Sequence, residues 1–108
     1  MKVNNYHQVL RARGYKAREL SEYAGTNIFE KEHLYNKIVC TITKDSHGKG
    51  QTIMFNIYNT LRTPKTMEEF HDAEFDRSYL VKEAKVIHDA FEKLRDMKGH
   101  TKYLYCFN

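Results

Sequence analysis

Four basic side chains crowded into eight positions are the residues of this sequence best suited to chemistry: Arg11, Arg13, Lys16 and Arg18. On a helix, Arg11 and Arg18 would share one face, because they lie seven residues apart. Such a group can bind phosphates without reading bases, since backbone oxygens carry no sequence information. A solvated surface shows the same pattern, so the sequence leaves both interpretations open.

The distribution of charge favours an anionic partner for the first part of the chain. The 108 residues carry a net charge of +4. Residues 1–66 hold 11 Lys and Arg against 5 Asp and Glu, a net charge of +6. Residues 67–108 hold 7 against 9, a net charge of −2. A basic half of this kind attracts phosphate or an acidic protein surface.

Catalytic and metal-binding patterns are weak. The segment SHGKGQT, residues 46–52, lacks the spacing of a phosphate loop and lies between two strand-like runs. The histidines form no His-x₃-His pair and there is no Cys-x-x-Cys, so zinc has no support from spacing. Four neighbouring groups could bind a hard cation: His71, Asp72, Glu74 and Asp76. Helical spacing places Asp72 and Asp76 on one side and Glu74 on another, so they form no single site. We therefore expect a protein that is not an enzyme and binds no metal or cofactor.

The elements that position the basic residues are predicted from apolar spacing. A first helix is expected over residues 5–12, ending at the glycine of position 14. A second helix is expected over residues 17–24, with Gly25 as its C-terminal cap. Residues 28–37 fit either a third helix or a segment that feeds directly into a strand.

A β-hairpin is the clearest local signal. Residues 38–43 and 52–58 are rich in β-branched and apolar side chains, and they flank a turn that contains two glycines. Alternation along the two strands predicts six core side chains: Ile38, Cys40, Ile42, Ile53, Phe55 and Ile57.

The C-terminal part predicts a long helix and a closing strand. Thr66 and Glu69 have the spacing of a capping box. The helix is expected to reach about Met97, with a break near residues 75–78 left open. Its buried stripe would be formed by Leu80, Ala84, Ile87, Phe91 and Leu94.

The predicted fold class is α+β, in one domain over residues 1–108. N-terminal helices and the long C-terminal helix would pack on a small antiparallel sheet. That sheet would consist of the hairpin and a C-terminal strand at residues 101–107. Cys40 and Cys106 fall in apolar strand-like runs, where we expect buried, reduced thiols.

The N-terminal half resembles the helix-turn-helix and winged-helix family over residues 6–58. The second helix of that family reads A-R-E-L-x-x-x-x-G, which matches residues 17–20 and Gly25. The resemblance implies a third helix in the major groove and makes the hairpin a wing, with three residues near its tip: Lys44, His47 and Lys49. One position departs from the pattern, since Lys31 stands where the family has an apolar residue.

These observations predict a small nucleic-acid-binding regulatory protein. Its contacts to DNA or RNA would come from the basic helical region and the hairpin: Arg11, Arg13, Lys16, Arg18, Lys31, Lys44, His47 and Lys49.

An inhibitor or adaptor that binds a host protein or a defence complex is the alternative, with an acidic surface on that partner. The composition, rich in Lys, Asn and Tyr, resembles that of small accessory proteins of bacteriophages. With no signal-peptide pattern and no apolar span in the sequence, we expect no membrane partner. The expected location is the cytoplasm. If a phage encodes the protein, this would be the cytoplasm of its bacterial host. The sequence also allows a homodimer.

Overall fold

The computed structural model describes residues 5–20, 25–44, 50–60, 63–94 and 100–107. Its elements follow in the order α1 (Asn5–Ala12), β1 (Lys16–Leu20), β2 (Thr26–His33), β3 (Asn36–Lys44), β4 (Gly50–Asn59), α2 (Met67–Glu92) and β5 (His100–Phe107). The fold is α+β, as predicted, with five strands and two helices among the described residues.

The five strands form one mixed sheet in the order β1-β2-β3-β4-β5. The first four strands are antiparallel neighbours, and β5 pairs with β4 in parallel. Phe29, Cys40 and Phe55 lie side by side on three of these strands and are fully buried. Residues of α1 and α2 join them in one hydrophobic core, so both helices cover the same face, which we call the helix face.

The predicted first helix is confirmed, and its end is explained by a glycine cap. The N–H of Gly14 donates to the carbonyl of Arg11 at 3.0 Å, and the N–H of Tyr15 donates to that of Leu10 at 3.0 Å. This is the Schellman pattern, which needs a residue with positive φ, and Gly14 has φ +89°. Leu10 and Tyr15, which flank the cap, are both buried, so the motif also directs the chain into β1.

The predicted second helix is wrong. Residues 16–20 form β1, and residues 21–24 lie outside the described part of the chain. Lys16 pairs with Glu30 and Ala17 with Phe29, so the backbone groups of β1 are satisfied by β2 rather than within a helix. This tertiary pairing overrides the helix propensity of the segment. Residues 28–33, left open between helix and strand, lie in β2.

The predicted hairpin is confirmed as β3 and β4. Cys40 pairs with Phe55 and Ile38 with Ile57, and all six side chains predicted for the core are buried. The predicted turn at residues 45–49 lies outside the described residues.

The long helix α2 begins and packs as predicted. The Thr66 side chain accepts a hydrogen bond from the N–H of Glu69 at 3.1 Å, which is the first half of a capping box. The side chain of Glu69 accepts in turn from the N–H of Lys65, one residue before the cap. The helix runs without a break to Glu92, and four members of the predicted stripe are fully buried: Leu80, Ala84, Ile87 and Phe91.

The C-terminal strand docks beside β4, as predicted, but the purely antiparallel sheet was wrong. A helix of 26 residues is about 39 Å long, enough to return the chain past the ten residues of β4. The next strand then starts at the same end as β4 and runs parallel to it. Tyr103 and Phe107 pack against the core, whereas Leu104 is exposed.

The two cysteines differ in exposure, which corrects the expectation that both are buried. Cys40 is fully buried on the helix face, and Cys106 on β5 is exposed. Burial raises the pKa of the Cys40 thiol, which further reduces its reactivity.

We expect a thiol reagent at neutral pH to modify one thiol, that of Cys106, in the native protein. The buried thiol of Cys40 should react only in denaturant. Intact-mass measurement over time counts the labelled thiols, and Cys106→Ser should abolish the fast step. Rapid double labelling of the native protein would contradict the packing of β3 beneath α2.

Candidate functional site

Two buried carboxylates on α2 organise the polar part of the helix face. Asp76 and Glu83 lie seven residues apart, which places them two turns apart on one side of the helix. The side chain of each is 1% exposed. A buried charge requires partners. Each carboxylate therefore determines where the side chains around it can lie.

Glu83 brings together two of the predicted binding residues. Its Oε1 accepts a hydrogen bond from Nζ of Lys31 at 2.9 Å, and Nε of Arg13 lies 3.6 Å from the same oxygen. Lys31 belongs to β2 and Arg13 to the turn after α1, so three separate elements meet here. One carboxylate faces two cations, which leaves this group of three side chains with a net charge of +1.

Lys31 lies on the helix face of the sheet, next to aromatic rings. It pairs with the core residue Ile38 on β3. Its ammonium group is 5.7 Å from the ring centroid of Tyr15 and 6.0 Å from that of Tyr79. The side chain remains 20% exposed. Its charge is therefore within reach of a ligand at the surface.

Tyr15 adds an unpaired polar group beneath these cations. Its hydroxyl and Oε2 of Glu83 are buried, and neither has a hydrogen-bond partner among the described residues. Burial raises the pKa of Tyr15, and the negative charge of Glu83 raises it further. The phenol therefore stays protonated at neutral pH and keeps a proton to donate.

Asp76 fixes the first half of α2 to the turn between β2 and β3. Its Oδ2 accepts from the N–H of Tyr35 at 3.1 Å and from Nδ2 of Asn36 at 2.9 Å. Its Oδ1 is in close contact with Nδ1 of His33. The imidazole of His33 in turn stacks on Tyr79, with ring centroids 4.9 Å apart.

A surface cavity of about 610 Å³ opens beside this turn. It is lined by His33, Leu34, Tyr35, Asp72, Phe75, Asp76 and Tyr79. Phe75 is 76% exposed and Leu34 is 62% exposed, and both line this cavity, so they offer apolar area at one place on the surface. Phe75 and Tyr79 are one helical turn apart, so they form one wall.

Of the remaining predicted residues, some lie on α1 and β1, one lies at the end of β3 far from Asn36, and the others fall outside the described residues. Arg11, Lys16 and Arg18 are exposed near the turn after α1. The prediction that Arg11 and Arg18 share a helical face is wrong, because Arg18 lies in β1. Lys44 is exposed at the end of β3, and His47 and Lys49 fall among residues 45–49, which are not described.

Sequence reasoning missed the roles of four residues of the site: His33, Asp76, Tyr79 and Glu83. Asp76 was grouped with neighbouring acids as one of several candidate cation ligands. A signal was present for Glu83, which lies among the apolar residues of the predicted stripe, between Leu80 and Ala84. An acid at that position requires a basic partner from another element.

The described part of the chain holds neither a cluster of metal-binding side chains nor a membrane-spanning helix. Across those residues, no three His, Cys, Asp or Glu side chains gather as metal ligands would. None of the described helices combines the length and apolar character needed to cross a membrane. Comparison of the chain with protein-family models, curated proteins and solved structures gives no match.

Breaking the Lys31–Glu83 pair should lower the free energy of unfolding by about 1.5–3 kcal/mol, as for other hydrogen bonds to charged groups. The change is Glu83→Gln, with Lys31→Met and the double variant completing a double-mutant cycle. Chemical denaturation measures each variant.

The chain offers a matched control in Lys37 and Glu30, whose charged atoms also lie 2.9 Å apart. There the carboxylate is 28% exposed rather than 1%. Solvent screening should limit the coupling energy of the Lys37–Glu30 pair, measured by the same kind of double-mutant cycle, to about 1 kcal/mol or less. Equal coupling in the two pairs would contradict the special role given to the burial of Glu83.

Proposed function

We propose that this protein is a small non-enzymatic regulator that binds nucleic acid through the surface around Arg13 and Lys31. The observation that carries the proposal is the convergence of these two cations on buried Glu83, next to exposed aromatic rings. Preorganised cations beside aromatic faces suit a ligand that has both phosphates and bases. We call this surface, formed by Arg13, Lys31, His33, Phe75 and Tyr79, the basic–aromatic surface.

Glu83 supports binding by holding the cations in place without neutralising both. A flexible Lys or Arg side chain loses conformational entropy when it is ordered by a ligand. Because Glu83 already orders Arg13 and Lys31, part of that loss occurs on folding. Arg13 contacts Glu83 through Nε. The outer nitrogens of its guanidinium group therefore remain suited to a phosphate.

Neighbouring exposed cations extend the attraction over a wider area. Arg11 lies in the last turn of α1 and Arg18 lies on β1, so they precede and follow the turn that carries Arg13. Their charges act over roughly a Debye length, about 8 Å at physiological ionic strength. Contacts of this kind bind the phosphate backbone and do not select bases.

A protein partner is the second candidate, in keeping with an inhibitor or adaptor. Exposed apolar side chains on the first half of α2 favour it, since Met67 is 71% and Phe75 76% exposed. Exposed apolar side chains that lie close together are typical of protein-binding surfaces. This candidate predicts binding to a protein that is lost with the apolar side chains, and no binding to nucleic acid.

Binding to random-sequence duplex and single-stranded DNA and RNA, measured over a range of salt concentrations, tests the proposal. Arg13→Ala and Arg18→Ala should each weaken binding to all sequences alike. Each should also make the negative slope of log K against log salt shallower, by about 0.9 for duplex DNA or 0.7 for single strands, because one phosphate contact is lost.

Lys102→Ala is the matched control, since Lys102 is exposed on β5, at the opposite edge of the sheet from β1. It should leave both the affinity and the slope unchanged. Binding without salt dependence, or none to any nucleic acid, would refute the proposal and make a protein partner the working hypothesis.

A further inference from the structure

The cavity next to the basic–aromatic surface has the character of a site for a single flat ring. Phe75, Tyr79 and His33 line it, and its volume is about 610 Å³. Phe75 is 76% exposed and Tyr79 47% exposed, so both rings offer area to a ligand. Aromatic rings of this kind stack with unpaired bases of any sequence.

The cations lie beside this cavity and not at a distance from it. The ammonium group of Lys31 is 6.0 Å from the ring centroid of Tyr79, which forms part of the cavity wall. Arg13 reaches the same carboxylate as Lys31. A ligand that fills the cavity and continues along the surface therefore meets positive charge directly.

We infer that the nucleic acid bound here is single-stranded, with one unstacked base in the cavity and the adjoining phosphates against Lys31 and Arg13. This inference rests on the proposed function and makes it more specific. A base within a duplex is paired and stacked on both sides, so it has no free face for Phe75 or Tyr79. Glu83 is a positioning residue, because it acts through the two cations.

The carboxylates near the cavity are compatible with a base and exclude a phosphate from the cavity itself. Asp76 already accepts hydrogen bonds from Tyr35 and Asn36 and contacts His33. Asp72 is exposed and lines the cavity. An Asp carboxylate accepts hydrogen bonds from base amino groups such as that of cytosine. The base therefore belongs in the cavity and the phosphates on the side of Lys31.

An apolar side chain from a protein partner is the competing occupant. Leu34 and Phe75 would suit it, but an apolar side chain offers no counter-charge to the net charge of +1 that Arg13, Lys31 and Glu83 leave beside the cavity. A nucleic-acid strand supplies that counter-charge from its phosphates. Charge complementarity therefore favours the single strand.

The test compares a labelled single-stranded oligonucleotide with the duplex of the same sequence by fluorescence anisotropy, using the full chain. We expect tighter binding to the single strand at matched salt. Phe75→Ala should weaken single-strand binding by about 5- to 150-fold, the range for the loss of one stacked base. The salt slope should stay unchanged, because no phosphate contact is lost. Phe75→Tyr should retain binding.

Phe70→Ala is the matched control on the same helix. Phe70 is 49% exposed and lines a different cavity, with Asn36, Pro64 and Arg77. Its substitution should leave single-strand affinity unchanged. Circular dichroism of both variants checks that the helix is intact.

Two results together would overturn the inference and leave the proposed function standing. They are equal affinity of the protein for duplex and single strand, and a single-strand affinity of Phe75→Ala that is no lower than that of Phe70→Ala. Salt-independent binding, or none to either form, would remove both. Equal losses for the two Phe variants would also overturn the inference, since the cavity would then have no special role.

Discussion

Burial of two carboxylates beneath one helix is the constraint on which the polar half of this structure depends. Asp76 and Glu83 are almost inaccessible to water, although the helix that carries them packs mainly through apolar side chains. An uncompensated buried charge would be strongly destabilising. The helix must therefore lie where Asp76 meets the turn between β2 and β3 and where Glu83 meets Lys31. Apolar burial drives the helix onto the sheet, and the carboxylates favour one position along it.

The same constraint links stability to the proposed function. Lys31 and Arg13 come from different elements. The single carboxylate of Glu83 contacts both cations, although its charge balances only one of them. The excess positive charge lies at the surface beside Tyr79. His33 connects the surroundings of Asp76 with those of Lys31. It contacts Asp76 and stacks on Tyr79, whose ring lies beside the ammonium group of Lys31. In the proposed function, the phosphates of a nucleic acid would neutralise the excess charge and its bases would stack on the exposed rings.

Local signals in the sequence predicted the local parts of the fold. The hairpin follows from alternation in β3 and β4, and the end of α1 follows from Gly14. The strand β1 could not be predicted in this way, because its partner β2 is determined by the tertiary structure and a register shift interrupts its pairing. The parallel direction of β5 depends on the path of α2 over the sheet. For the site, the sequence identified Arg13 and Lys31 as basic candidates. Their meeting at Glu83, 52 positions from Lys31, depends on that same packing and could not be read from spacing.

Amide chemical-shift mapping during titration with a short single-stranded oligonucleotide tests the central claim most directly. The account predicts shifts concentrated at the basic–aromatic surface and at the backbone around Gly14, with β5 and the region of Phe70 unaffected. Shifts concentrated on β5, or on the face of the sheet opposite the helices, would contradict it. In that case the cations ordered by Glu83 would serve the stability of the fold alone.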